Sequence, residues 1–64
     1  MSSAIASIFY DEDKKELTVS FVKGGVWVFH GVDSQTAEAF ESAGSQGTFF
    51  NMQIRGQYSY GRVG

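Results

Sequence analysis

From Glu16 to Val22 the sequence alternates: Leu17, Val19 and Phe21 fall on one side, Glu16, Thr18 and Ser20 on the other. A period of two built on β-branched and aromatic residues is the pattern of a half-buried strand. Lys23-Gly24-Gly25 follows and can supply the positive φ of a tight hairpin, so Val26 to His30 reads as the returning strand. The loop length decides where the aromatic residues go. A two-residue loop sets Val26 and Val28 beside Phe21 and Val19 and leaves Trp27 and Phe29 on the opposite face. A three-residue loop pairs Phe21 with Trp27 and Val19 with Phe29, uniting the largest apolar groups on one face. Each large aromatic buries about 150–250 Å², and a slip of one residue turns every side chain over. The second register is the expected one.

Upstream, Ala4 to Tyr10 reads as a first strand, and Asp11-Glu12-Asp13-Lys14-Lys15 as a charged turn with nothing apolar to bury. After Gly31 the period changes. Asp33 is a good N-cap, Val32 and Ala37 sit where a hydrophobic staple closes, and Ala37, Phe40 and Ala43 follow helical spacing, with Gly44 as the residue after the helix end. A second short helix begins at Ser45 as N-cap and runs to Arg55, with Phe50 and Ile54 on its buried face and Gly56 as its stop. Gln57 to Gly64 shows no clear period and is expected as a last extended segment along a sheet edge. The pattern predicts an α+β fold, a three-stranded antiparallel meander followed by two short helices packed on one face.

Sixty-four residues hold one compact unit, so residues 1–64 are expected to form a single domain. Leu, Ile, Val and Phe number sixteen, one quarter of the chain and more than a disordered segment carries. A domain this small buries only about 60% of the surface its unfolded chain exposes, and area gained against entropy lost comes out near zero. Something must supplement the core. There is no cysteine, which excludes disulfides and thiolate metal sites, and one histidine among seven carboxylates gives no ligand spacing. Efficient aromatic packing or self-association remains, and the free sheet edges make a homodimer the expectation.

No apolar run approaches the roughly 20 residues that span a bilayer, and Met1-Ser2-Ser3 carries no cationic leader, so a cytoplasmic protein without membrane contact is expected. The net charge of −2 is uneven: all seven acids lie before residue 42, whereas residues 42–64 carry Arg55 and Arg62 and no acid. Five cations in all allow only a small phosphate-binding patch. Enzymatic readings fail on residue types. His30 is the sole imidazole and sits at a strand end, the acids at 11–13 form a solvated turn, and Gly24-Gly25 lacks the strand-to-helix context of a phosphate loop. No catalytic residue, metal or cofactor is expected.

The stretch Ser45-x-Gly47-x-x-Phe50-Asn51-x-x-Ile54-Arg55-x-x-Tyr58 is the most specific part of a wider pattern. Upstream of it stand Tyr10-Asp11, Leu17-x-Val19-x-Phe21, Trp27-x-Phe29 and Gly31-Val32. Taken in order, from about Ile5 to Val63, these resemble the KTSC domain family, small domains found at the C-terminus of some lysyl-tRNA synthetases and as stand-alone bacterial or phage proteins. The synthetase association implies a small non-catalytic binding module, with RNA or another anionic ligand as partner.

This chain departs from the family pattern in places. The family's central Tyr-x-Tyr falls on Trp27-Val28-Phe29, which keeps the aromatic rings and drops both hydroxyls, as a core position tolerates. Asp33 replaces a frequent proline and still initiates a helix. Gln46, Gln57 and Gly61 stand where relatives are often basic. The residues left to contact a ligand or RNA are Asn51, Arg55, Tyr58, Tyr60 and Arg62, although Asn51 and Arg55, four residues apart, could equally tie the second helix to the C-terminal segment. The alternative is a protein-interaction or oligomer-forming module, such as a phage or mobile-element protein that masks a host factor or sequesters a nucleotide ligand.

Overall fold

The computed structural model describes residues 4–64; Met1-Ser2-Ser3 lies outside the described residues. Strands β1 (Ile5–Asp11), β2 (Glu16–Phe21) and β3 (Gly25–His30) precede helices α1 (Ser34–Ser42) and α2 (Gln46–Phe49). The second helix continues as a π-helical segment, Phe50–Ile54, before strand β4 (Ser59–Arg62). The strands form one antiparallel sheet in the order β1-β2-β3-β4. The α+β class and the helical cover on one face are as expected. The C-terminal segment lies extended along a sheet edge as expected, and because it is hydrogen-bonded to β3 the strand number is corrected from three to four.

Local chemistry explains each turn. After β1, the Asp11 carboxylate accepts hydrogen bonds from the backbone N–H groups of Asp13 and Lys14, at 3.1 and 3.2 Å, and Lys15 closes the turn at φ 54°. Between β2 and β3 the register differs from the expected one. Val19 faces Trp27, Leu17 faces Phe29, and Phe21 faces Gly25, a shift of two residues from the pairs Phe21–Trp27 and Val19–Phe29. A shift of two preserves the face, so Trp27 and Phe29 still lie on the side of Leu17, Val19 and Phe21. The turn is Val22-Lys23-Gly24, with Gly25 at φ 87° entering the strand, and the Trp27 indole N–H donates to the Gly24 carbonyl at 2.8 Å. That bond gives the indole a partner within the turn itself.

A bulge at Ala6 lets strand β1 turn two isoleucines an odd number of residues apart, the buried Ile5 and the partly buried Ile8, toward the core. Ile5 pairs with Phe21, whereas from Ser7 onward the register moves by one, so Ile8 and Tyr10 rejoin the face of Ile5. Asp33 accepts from the Thr36 N–H at 2.8 Å, and Val32 and Ala37, both buried, form the staple at the start of α1. The Tyr10 hydroxyl donates to the Val32 carbonyl at 2.6 Å, binding the first strand to this helix entry. Gly44 follows the helix as expected but does not take the left-handed conformation; Ala43 ends α1 in an extended one.

The core comprises Ile5, Leu17, Val19, Phe29, Val32, Ala37, Phe40 and Ile54. Phe40, fully buried, stacks on Phe49 at 5.5 Å and 13°. Phe50 meets Phe21 and Phe29 edge-on, at 5.2 and 5.5 Å. Aromatic packing is thus the device that enlarges a small core. No helix among the described residues is long and apolar enough to cross a membrane.

Candidate nucleic-acid interface

The expected second helix is a composite. Ser45 caps it, its Oγ accepting from the Thr48 N–H at 3.3 Å, and α2 runs only to Phe49. From Phe50 the helix widens, and the Arg55 N–H donates to the Phe50 carbonyl five residues back, at 2.8 Å. Single π-helical turns of this kind recur at functional sites. Arg55 then leaves the helix in an extended conformation (φ −62°, ψ 124°), and Gly56 at φ 77° reverses the chain toward β4. The Arg55 side chain is exposed and makes no hydrogen bond or ion pair among the described residues, so it does not cap the helix carbonyls.

Strand β4 completes the site. Pairing with β3 sets Tyr60 opposite Phe29 and Arg62 opposite Trp27, all on the helix side of the sheet. The Tyr60 ring lies 5.6 Å from Trp27 and 5.7 Å from Phe29. Between this edge and the end of the π-helical segment opens a solvent-accessible cleft of about 450 Å³, lined by Phe21, Trp27, Phe29, Phe50, Arg55, Gly56 and Tyr60. Its volume lies in the range of small-ligand sites, about 300–1,000 Å³. The guanidinium of Arg62 sits 5.7 Å from the Trp27 ring centroid, and its Nε donates to the Gly64 carbonyl at 2.9 Å. Among the described residues no carboxylate lines the cleft and the Arg55 guanidinium in its wall has no hydrogen bond or ion pair, so the site suits a planar group carrying negative charge.

The five candidate residues divide. Arg55 and Tyr60 line the cleft and Arg62 flanks it through Trp27. Asn51 is exposed on the π-helical segment and does not line it. Tyr58 faces a second, shallower groove with Gln35, Thr36, Ala39, Phe49 and Gln53. Phe21, Trp27, Phe29 and Phe50 line the cleft without having been expected there. The two-residue spacing of Tyr60 and Arg62 is a strand period and signals that they share a face, but it does not signal the pairing that sets them against Trp27 and Phe29.

Other titratable groups lie away from the cleft. His30 is exposed at the end of β3, its Nδ1 3.3 Å from a carboxylate oxygen of Glu16. Among the described residues no group of three or more His, Asp or Glu side chains could hold a metal ion. Partial burial, followed by the charges of Glu12, Asp33 and Asp11, raises the pKa of Tyr10 above the usual phenol value. Hydrogen bonds from the Thr36 side chain and then its backbone hold the Asp33 carboxyl below its ordinary value.

Comparison with known proteins agrees with this architecture. A model of the KTSC domain matches residues 1–58. The crystal structure of a KTSC domain protein from Yersinia pestis superposes with a TM-score of 0.94 at 35% sequence identity, covering 100% of this chain and 92% of that one. No curated protein matches. With the family model matched over most of its length and a whole-chain structural counterpart, this chain belongs to the KTSC domain family.

Proposed function

We propose that the chain is a non-catalytic, cytoplasmic binding module that takes single-stranded RNA, one base entering the aromatic cleft and its phosphates meeting Arg55 and Arg62, and that it works as a homodimer. The observation that carries this reading is the cleft itself: aromatic walls at Trp27, Phe29, Phe50 and Tyr60, with a guanidinium at the mouth that no carboxylate occupies. A base stacked on an aromatic ring contributes about 1–3 kcal/mol. A hydrogen bond to a charged group adds about 1.5–3 kcal/mol. One stack and two such contacts correspond to dissociation constants from roughly millimolar to micromolar. The module is therefore a weak binder that gains from being joined to a second copy or to another RNA-binding unit.

Trp27 is the single tryptophan and lies in the cleft, so its fluorescence reports occupancy. Titration with a short single-stranded oligoribonucleotide at low salt is expected to quench it saturably, with the quench weakening as salt rises. A protein partner is the second reading, favoured by Met52, which stands 67% exposed on the π-helical segment. An apolar protein contact changes little with salt. Absence of quenching at low salt, together with a protein that co-purifies at high salt, would replace the RNA reading with this one.

A further inference from the structure

The cleft and both helices occupy one side of the sheet, and among the described residues nothing covers the other side. Strand pairing aligns its residues in rows that cross all four strands: Phe9, Thr18, Val28 and Gly61 form one, and Asp11, Glu16, His30 and Ser59 form the next toward the strand ends. Ser7, Ser20 and Val26 continue the pattern on the opposite side of the Phe9 row. No helix covers this face, since the buried helical residues Ala37, Phe40 and Ile54 pack on Leu17, Val19 and Phe29. Phe9 stands 66% exposed on it. None of these positions is a lysine or arginine, so the face offers nothing to a phosphate.

We infer that this face is where two copies of the chain meet, sheet against sheet, about a two-fold axis running along the strands. The inference rests on the homodimer part of the reading above and not on its RNA part. A rotation about the strand direction brings β1 over β4 of the other copy and β2 over β3, and leaves each row facing itself. The largest side chain of the central row, Phe9, then lies over the smallest, Gly61, where a Cβ would meet nothing within 4 Å. Thr18 lies over Val28. In the end row both acids, Asp11 and Glu16, are on β1 and β2, so the same rotation sets no acid over an acid, while within each chain Glu16 already lies 3.3 Å from His30 and Asp11 accepts from its own turn. Bulk is arranged to complement a second copy and no acid meets an acid, as an isologous interface requires.

The extent of the face sets the strength. Four strands about 4.8 Å apart, each roughly 20 Å long, give a flat footprint of about 400 Å². That is below the roughly 800 Å² per partner of a standard stable complex, so the dimer is a weak one.

Sedimentation equilibrium from about 20 to 500 µM tests this, and the mass should rise from 7.0 kDa toward twice that value. Phe9→Glu and Gly61→Lys should each lower the association constant at least tenfold while the thermal melt keeps its shape. Because the chain has no cysteine, single-cysteine variants can locate the axis. Packed sheets lie about 10 Å apart, a gap that a short bismaleimide bridges. A mixture of Phe9→Cys and Gly61→Cys should form the mixed cross-link in preference to either self-cross-link. Self-cross-linking of Phe9→Cys alone would place the axis across the strands and overturn the geometry. A wild-type monomer at 500 µM, or a folded Phe9→Glu dimer, would overturn the interface itself. Trp27 lies on the opposite side, so quenching of Phe9→Glu by RNA reads the cleft independently.

Discussion

Replacing Arg55 by alanine separates a ligand contact from a structural one. The side chain is exposed and has no hydrogen bond or ion pair among the described residues, while the backbone N–H that closes the π-helical turn is unaffected by the change. Stability should therefore move by no more than about 0.5 kcal/mol, the range of ordinary surface substitutions. Affinity for single-stranded RNA should fall by about 1.5–3 kcal/mol, the worth of a charge-assisted hydrogen bond. That is a factor of roughly 10 to 150.

Salt gives an independent reading of the same contact. Two phosphates neutralised on a single strand give a slope of about −1.4 in log affinity against log salt, and one gives about −0.7. Raising salt from 50 to 200 mM should weaken the wild type about sevenfold and the variant about threefold. Trp27 fluorescence titrations at several salt concentrations, with a thermal melt on the same samples, supply every number. A variant that binds with unchanged affinity and unchanged slope, or that melts far below the wild type, would refute the reasoning.

Three further outcomes follow from the packing and the titrating groups. Phe40→Ala removes a fully buried ring at the centre of the aromatic cluster, a loss of about 3–5 kcal/mol. A domain of this size holds roughly that much in total, so circular dichroism at 25 °C should show an unfolded chain. Gly25→Ala forces a side chain onto a residue at φ 87°, with its Cβ 2.6 Å from the Gly64 carbonyl oxygen and 2.8 Å from the Arg62 guanidinium. It should cost about 2 kcal/mol in denaturant titration and displace Arg62 from Trp27. Stability should fall at both ends of the pH scale. Asp33, whose folded pKa is depressed, stabilises the fold above its unfolded value of about 4 and loses that contribution as pH drops through the lower folded value. Tyr10, whose folded pKa is raised, contributes fully below about pH 10 and loses its share as pH climbs through the higher folded value. Thermal melts across pH, with Tyr10→Phe abolishing the alkaline limb that the phenol contributes, check both signs.

The sequence carried the fold wherever one face of an element had to be buried. Alternation from Glu16 to Val22 fixed the side of the sheet on which Trp27 and Phe29 lie, because a parity error would have exposed both rings. It did not fix which residues pair, since a shift by two keeps every side chain on its face. That choice was made by the turn, where the Gly24 carbonyl accepts the indole N–H and Gly25 takes a positive φ. The N-caps Asp33 and Ser45 were legible because the side-chain chemistry of a cap is local. The π-helical segment was not, because its extra residue per turn leaves Phe50 and Ile54 on the same face as an α-helix would.

Strand β4 was legible as an extended segment along a sheet edge, but its pairing with β3 was not. Its four residues include Ser59 and Gly61, and its apolar signal is confined to Tyr60. With it went the cleft, which exists only because β4 carries Tyr60 and Arg62 to the edge of β3. Arg55, Tyr60 and Arg62 were identified from residue type. Their grouping with Trp27 and Phe50, and the separation of Asn51 and Tyr58 from them, came from long-range pairing that no local pattern encodes.

Amide and indole NMR shifts recorded during titration with a short single-stranded oligoribonucleotide test the central claim most directly. Trp27 supplies one indole N–H signal, held by the Gly24 carbonyl beside the cleft. The expected result is a saturable movement of that signal together with the amides of Arg55, Gly56 and Tyr60, while those of Phe9 and Thr18 on the far face stay in place. Shifts confined to the Phe9 face, or no shift at low salt with RNA in large excess, would contradict the account.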